Sequence, residues 1–266
     1  MTKIALTIAG SDSGGGAGIQ ADVKTFAFHG VHGATALTCV TAQNTLGVFR
    51  VDSLSEAAVI AQIEAVVSDL GVNGTKTGML LNQGIIEAVT EMVIKYNLAP
   101  LVVDPVMVSR AGSQLIADEA IASLKSHLLP LANIVTPNRY EAQILSGLEI
   151  NNLEDLKKAV RIIAELGAKT VLIKGGGMTG ELWGVDIFFD GQSDLVLKTE
   201  TINTKNSHGT GCTLSAAITA NLALGKDLLT SVTEAKIYVT NALKYALNIG
   251  QGTGPLGHFF PLLHKY

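Results

Sequence analysis

The chain has 266 residues, 47% of them hydrophobic and 16% charged, and its mean hydropathy is +0.36. This composition excludes a disordered chain and suits a sheet that is buried on both faces. With 19 basic against 23 acidic residues the formal net charge is −4, so we expect no basic face that would hold nucleic acid.

Length and cysteine usage predict a soluble, cytoplasmic protein with one domain over residues 1–266 and no membrane partner. The apolar run at residues 4–9 is too short for a signal peptide. No uncharged run reaches the roughly 20 apolar residues that cross a bilayer. Cys39 and Cys212 lie far apart and in no CxxC or Cys/His spacing, which favours neither a disulfide framework nor a zinc site.

Strand-like apolar runs alternate with helical segments along most of the chain. The strand-like runs are residues 3–10, 34–42, 76–79, 101–104, 133–136 and 170–174. Residues 153–166 are typical of the helices between them, with apolar side chains every three or four positions. Repeated βα units predict an α/β fold with a mainly parallel sheet, which binds ligands beyond the carboxyl ends of its strands.

The last third of the chain departs from this alternation. Residues 183–190 and 195–199 predict a hairpin that forms an antiparallel edge of the sheet. Two long helices are then expected at about residues 210–224 and 228–247, neither of which contains proline.

A polar, glycine-rich loop at residues 206–214 leads directly into the first of these helices. Its glycines let several N–H groups converge at the positive end of the helix dipole, which predicts a cradle for a phosphate or oxyanion. An ordinary helical first turn without a ligand is the alternative. At this position the pKa of Cys212 is expected to fall below that of a free thiol, unless the cysteine is a buried structural residue.

A second glycine cluster at residues 10–18 separates a predicted strand from a helix, and residues 16–21 fit the loose dinucleotide pattern GxGxxA. The acidic residue expected about 20 positions later is missing, because the next strand runs into Ala42-Gln43-Asn44. A GxxxxGK[ST] phosphate loop is missing as well. A nicotinamide enzyme is therefore disfavoured, and any nucleotide is held differently.

Polar residues stand at three further strand ends: Asp104, the pair Asn138 and Glu141, and Lys174. Asn138 and Glu141 share one face at the start of a helix. Their oxygens suit a hydrated magnesium ion, and a helix cap with its capping-box partner is an equally good interpretation. The joint position of the four residues favours a site.

These ordered motifs resemble the hydroxymethylpyrimidine/phosphomethylpyrimidine kinases of thiamine biosynthesis, which are members of the ribokinase-like superfamily. The resemblance is carried by residues 5–22, 41–44, 76–79, 104–107, 136–141 and 208–217. It implies a three-layer α/β/α ribokinase-like fold. It also implies two phosphoryl transfers from ATP with Mg²⁺, first to 4-amino-5-hydroxymethyl-2-methylpyrimidine and then to its monophosphate, in a homodimer.

The resemblance also implies roles for individual residues. Substrate would be bound by Gln43, which pairs with the aminopyrimidine, and by Gly10, Met79 and Val106 around the ring. Catalysis would use Lys174 and an anion hole built from Gly209, Thr210, Gly211 and Cys212. ATP and magnesium would be bound by Asp104, Asn138 and Glu141, with Glu141 holding the metal through water. The wider superfamily has aspartate where this chain has Cys212, so Asp104 is kept as the alternative general base.

Two other functions stay open. Pyridoxal kinases share the fold and the motifs, but relatives with that activity tend to lack a glutamine in place of Gln43. An amide offers a donor and an acceptor together and so favours the aminopyrimidine. The other alternative is a non-catalytic sensor that binds a pyrimidine phosphate without ATP.

Overall fold

The structure, a computed structural model, describes residues 1–107, 116–178 and 180–263. Its strands are β1 (Ile4–Asp12), β2 (His32–Gln43), β3 (Val48–Ser53), β4 (Gly74–Thr77), β5 (Leu101–Val103), β6 (Ile134–Val135), β7 (Val171–Ile173), β8 (Val185–Phe189) and β9 (Asp194–Lys198). They form one sheet in the order β3-β2-β1-β4-β5-β6-β7-β8-β9. The six strands from β2 to β7 in this order are parallel, whereas β3, β8 and β9 run antiparallel to their neighbours.

Two layers of helices cover the sheet. The helices are α1 (Gly18–Phe28), α2 (Glu56–Asp69), α3 (Gln83–Tyr96), α4 (Asp118–Ser123), α5 (Arg139–Ser146), α6 (Leu153–Glu165), α7 (Thr210–Ala223) and α8 (Leu228–Lys244). Along β5, Val103 packs with residues of α2 to α6, while Val102 packs with residues of α7 and α8. This alternation is the two-residue period of a strand that is buried on both faces. The predicted three-layer α/β/α architecture is confirmed.

The predicted antiparallel edge is confirmed by β8 and β9. The opposite edge is also antiparallel, because β3 pairs with β2, and this strand was not predicted. None of the helices in the described ranges is both long enough and apolar enough to cross a bilayer.

The polar residues that follow the parallel strands lie together at one end of the sheet, which is the end where these strands have their carboxyl termini. Because β1, β2, β4, β5, β6 and β7 all point the same way, the segments that follow them lie side by side. Isolated β-bridges lie at this end of the sheet, one between Asn138 and Lys174 and one between His208 and Pro255. The topology therefore brings the predicted site residues together at the carboxyl ends of the parallel strands, and their functional roles stay predictions.

Candidate active site

The first turn of α7 forms an open anion cradle. Gly209 precedes it with φ 85°, and a Cβ there would lie 1.8 Å from the carbonyl oxygen of Gly16, so only glycine fits. In the described parts of the chain, the N–H groups of Gly211 and Cys212 have no hydrogen-bond acceptor. Free N–H groups at a helix start attract anions, and the phosphoryl-binding role of residues 209–212 stays a prediction.

A buried ion pair faces this cradle. Lys174 Nζ lies 2.7 Å from Asp104 Oδ1, and Ser215 on α7 donates a hydrogen bond of 3.1 Å to Asp104 Oδ2. Burial raises the pKa of Asp104, but the ammonium groups of Lys174 and Lys76 outweigh it and hold the pKa below its usual range. A Cβ on Gly211 would lie 3.2 Å from Lys174 Nζ, so this cation stands at the mouth of the cradle.

The thiol of Cys212 does not have the lowered pKa that its helix position predicts. Burial raises the pKa to about 11, and the positive charge of Lys76 and a hydrogen bond from the N–H of Gly18 oppose this only in part. Desolvation disfavours the thiolate more than the start of α7 stabilises it. The expectation of an acidified thiol is therefore wrong for the protein without substrates.

A second ion pair lies below the thiol and was missed in the sequence. Lys76 on β4 donates to both carboxylate oxygens of Asp22 on α1, at 2.9 and 2.8 Å, and both side chains are fully buried. Thr7 donates a further hydrogen bond of 2.7 Å to Asp22. The signal in the sequence was a lysine inside a short buried strand, which is rare unless a partner is present.

Asn138 and Glu141 form a complete capping box at the start of α5. Asn138 Oδ1 accepts from the Glu141 N–H at 3.0 Å, and Glu141 Oε2 accepts from the Asn138 N–H at 2.7 Å. Burial raises the pKa of Glu141 to about 7, since the attraction of Lys174 is opposed by the charge of Asp104. The helix cap is therefore present. The Glu141 carboxyl group in this cap would also ionise more readily if a cation were bound nearby.

The predicted substrate residues lie beside the cradle. A Cβ on Gly10 would lie 3.0 Å from Met79 Cε and 2.7 Å from Cys39 Sγ, which shows how closely these side chains pack on the end of β1. Val106 lines a small cavity with Gly78. The structure brings these residues to the carboxyl end of the parallel strands, and their roles toward substrate stay predictions.

Gln43, at the end of β2, is held by hydrogen bonds within the protein. Its Oε1 lies 3.1 Å from Thr41 Oγ1, and its Nε2 lies 3.3 Å from His208 Nε2. His208 is in turn 2.8 Å from Asp12 Oδ2. Both His208 and Asp12 belong to motifs recognised in the sequence, but neither was predicted as a site residue.

Comparison with known proteins decides the family. The sequence profile described as phosphomethylpyrimidine kinase matches residues 12–257. The chain belongs to this family. A hydroxymethylpyrimidine/phosphomethylpyrimidine kinase of Synechococcus elongatus is 60% identical over 259 residues, which cover 97% of this chain and 98% of that relative. The resemblance inferred from the motifs is confirmed, and the protein is a phosphotransferase.

Solved structures of two kinases share the fold. A phosphomethylpyrimidine kinase of Clostridium difficile is 45% identical, with a TM-score of 0.82, covering 91% of this chain and 100% of that one. A pyridoxal kinase of Bacillus subtilis, solved as an ADP complex, is 39% identical with a TM-score of 0.93, covering 99% of this chain and 100% of that one. The ribokinase-like fold agrees with both of these relatives, and the ADP complex of the pyridoxal kinase supports the use of ATP.

Proposed function

We propose that this kinase transfers the γ-phosphoryl group of ATP to the hydroxymethyl oxygen of 4-amino-5-hydroxymethyl-2-methylpyrimidine, and then a second one to the resulting monophosphate. The product is the pyrimidine diphosphate of thiamine biosynthesis. The observation that carries the proposal is the open cradle at residues 209–212, with Lys174 at its mouth and Gln43 at the same end of the sheet, where the parallel strands have their carboxyl termini. A sensor without ATP is the weaker interpretation, because the cradle and the cation suit a transferring phosphoryl group.

The geometry supplies what phosphoryl transfer needs. The substrate oxygen bonds to the γ-phosphorus, the bond to the bridging oxygen breaks, and ADP leaves. In the loose transition state negative charge spreads over the phosphoryl oxygens, where the N–H groups of Gly211 and Cys212 and the ammonium of Lys174 stabilise it. We assign the role of general base to Cys212, whose thiolate takes the hydroxyl proton although it is the minor form at neutral pH. A sparsely populated base suffices because little charge develops on the attacking oxygen.

Glu141 and Asn138 would hold magnesium through water. The residues fit a hydrated ion, because Glu141 offers one buried carboxyl group near Lys174 and Asp104, and Mg²⁺ that is bound through one or two carboxylates keeps several of its waters. The bound ion would neutralise charge on the ATP phosphates. The positive charge would also favour the ionised form of Glu141.

Pyridoxal is a second candidate substrate, since a pyridoxal kinase is among the closely similar structures. Gln43 favours the aminopyrimidine because a primary amide can pair with a ring nitrogen and an exocyclic amino group at the same time. A site that is built to pair such groups discriminates strongly against ligands that lack them.

Gln43→Met tests the substrate. Methionine keeps the length of the side chain but removes the amide, so kcat/KM for the pyrimidine should fall about ten- to a thousandfold, while pyridoxal phosphorylation loses less. A product assay with ATP, Mg²⁺ and either alcohol resolves monophosphate from diphosphate. Gln83→Met is the matched control, because Gln83 is exposed and its amide donates to Glu87, another exposed side chain. Equal use of both alcohols by Gln43→Met and the parent would contradict the proposal.

We also propose that residues 1–266 act as one kinase domain in a cytoplasmic homodimer. The free thiols Cys39 and Cys212 support a reducing compartment. Support for the dimer comes from β3, whose outer edge has no neighbouring strand among the described residues. Exposed apolar side chains are concentrated on this strand and next to it: Val40, Leu46, Val48, Phe49 and Val51.

A further inference from the structure

The proton on His208 is fixed by its neighbour. Asp12 is buried, and its two carboxylate oxygens accept hydrogen bonds of 2.8, 3.0 and 2.8 Å from the N–H groups of Gly14, Gly16 and Ala17. These bonds require an ionised carboxylate, which can only accept. His208 Nε2 lies 2.8 Å from Asp12 Oδ2, so this ring nitrogen must carry a hydrogen and donate it.

This proton decides which way the Gln43 amide can face. The amide nitrogen of Gln43 lies 3.3 Å from His208 Nε2, and two N–H donors cannot bond to each other. Rotating the amide by a half-turn exchanges its oxygen and nitrogen. The oxygen then faces the His208 Nε2–H, whose main bond goes to Asp12 at 2.8 Å, and shares that hydrogen more weakly at 3.3 Å.

The other end of the amide agrees with the same orientation. Thr41 Oγ1 has one hydrogen, and Ser11 O accepts it at 2.8 Å. The Thr41 oxygen is then free to accept from the Gln43 NH₂ group, at the 3.1 Å that separates the two side chains. In this orientation the Gln43 NH₂ group donates to Thr41 and the Gln43 oxygen faces the His208 N–H, whereas the reverse orientation sets a donor against the His208 donor and an acceptor against the Thr41 acceptor.

We infer that Asp12 and His208 are positioning residues that hold the Gln43 amide in the one orientation that reads an aminopyrimidine edge. With one lone pair given to His208 and one N–H given to Thr41, the amide keeps one N–H for a ring nitrogen and one lone pair for an exocyclic amino group. This inference rests on the proposed function, because it assigns how that substrate is recognised.

A pair of variants at His208 tests the inference. His208→Gln keeps an N–H group at a similar reach, whereas His208→Leu removes the donor and frees the Gln43 amide to rotate. We expect the leucine variant to raise KM for the pyrimidine at least tenfold while kcat falls less than threefold. The glutamine variant should restore most of the affinity. His32→Leu is the control, because His32 is exposed at the opposite end of β2.

A direct measurement covers the case in which His208→Leu does not fold. Long-range ¹H–¹⁵N correlation of the wild-type enzyme, at about pH 8 where an ordinary imidazole is neutral, should show the His208 proton on Nε2. Thr41→Val, which removes the acceptor at the other end of the amide, should raise the pyrimidine KM severalfold, and Thr41→Ser should restore it.

The outcomes separate this inference from the proposed function. If the wild type does not phosphorylate the pyrimidine, the proposed function fails and the inference with it. If the wild type does so but His208→Leu keeps the parental KM, or if the proton is on Nδ1, the inference is overturned and the function stands.

Discussion

Burial controls the chemistry of Cys212 in the protein without substrates. The thiol lies at the start of α7, and the N–H of Gly18 at the start of α1 also lowers its pKa, so two helix starts favour its thiolate. The residue is half-buried, and desolvation of its thiol nevertheless raises the pKa to about 11. The neutral thiol therefore dominates at neutral pH in the protein without substrates.

The reactivity of Cys212 should follow this raised pKa. In the free enzyme the rate of its alkylation should keep increasing with pH to about 11, rather than levelling off near the value of a free thiol. Peptide mass spectrometry distinguishes Cys212 from Cys39. Cys212→Ser should lower turnover on the order of ten- to a hundredfold, with ATP affinity nearly retained, because the backbone donors of the cradle remain.

Full turnover of Cys212→Ser would instead place the general base elsewhere. Asp104 is then the next candidate, since it is ionised and lies opposite the cradle. Cys212 would in that case be only part of the pocket wall.

Contacts between distant residues mark the limit of what the sequence predicts at this scale. The glycine loops and Lys174 stand out because their residue types and strand-end positions are unusual by themselves, whereas Gln43 was identified only through the family resemblance. The bond between Asp12 and His208 joins residues 196 positions apart, and the bond between Lys76 and Asp22 joins residues 54 positions apart. Neither pair has a local pattern, because only the folded sheet brings the partners together.

At the scale of elements, the capping box of α5 combines a structural and a chemical function. Asn138 and Glu141 satisfy each other's backbone N–H groups, which fixes the start of the helix. The same carboxyl group is 2% exposed and has a pKa near 7. Folding therefore favours its protonated form, and a bound cation favours its ionised form.

Glu141 should make the free enzyme less stable as pH rises. Its pKa is about 7 in the folded state against 4.5 unfolded, so the native state binds more protons between these values. The free energy of unfolding should fall by about 1–3 kcal/mol from pH 4.5 to above 7 on account of this group. ATP with Mg²⁺ should stabilise the protein more above pH 7 than at pH 5, because it favours the carboxylate. Thermal unfolding across this pH range measures both effects.

Glu141→Gln is the variant that separates charge from capping. Glutamine can still accept from the Asn138 N–H, so α5 should keep its start. In this variant the free energy of unfolding should no longer show the fall with rising pH that Glu141 causes. Half-maximal activity should also need more Mg²⁺. Glu149→Gln, at an exposed position, is the control. An unchanged magnesium requirement in Glu141→Gln would show that this residue only caps its helix.

The elements differ in how well the sequence reveals them. Central strands such as β1 and β7 are continuous apolar runs because both of their faces are buried, and this pattern was predicted. The strand β3 was missed because all six of its residues are exposed, so burial imposes no pattern on them. Its position follows from pairing with β2, which is a tertiary contact.

For the whole molecule, the two edges of the sheet differ in what they expose. Phe49 on β3 is 68% exposed, between Val48 at 51% and Val51 at 42%. Strand β9 at the other edge exposes Val196 at 50%. An unpaired edge with exposed aromatic and branched side chains favours pairing with another chain, and a second copy is the partner that we propose for β3.

Charge on β3 should therefore separate the two copies. Phe49→Glu places a carboxylate within the proposed interface, and burying an unpaired charge there costs more than the contact contributes. Size-exclusion chromatography with light scattering should show a dimer for the parent and about half that mass for the variant. Val196→Glu makes the same kind of change on β9 and should leave the dimer intact. A monomeric parent would overturn the proposed dimer, and a dimer that persists in Phe49→Glu but dissociates in Val196→Glu would place the interface at the opposite edge of the sheet.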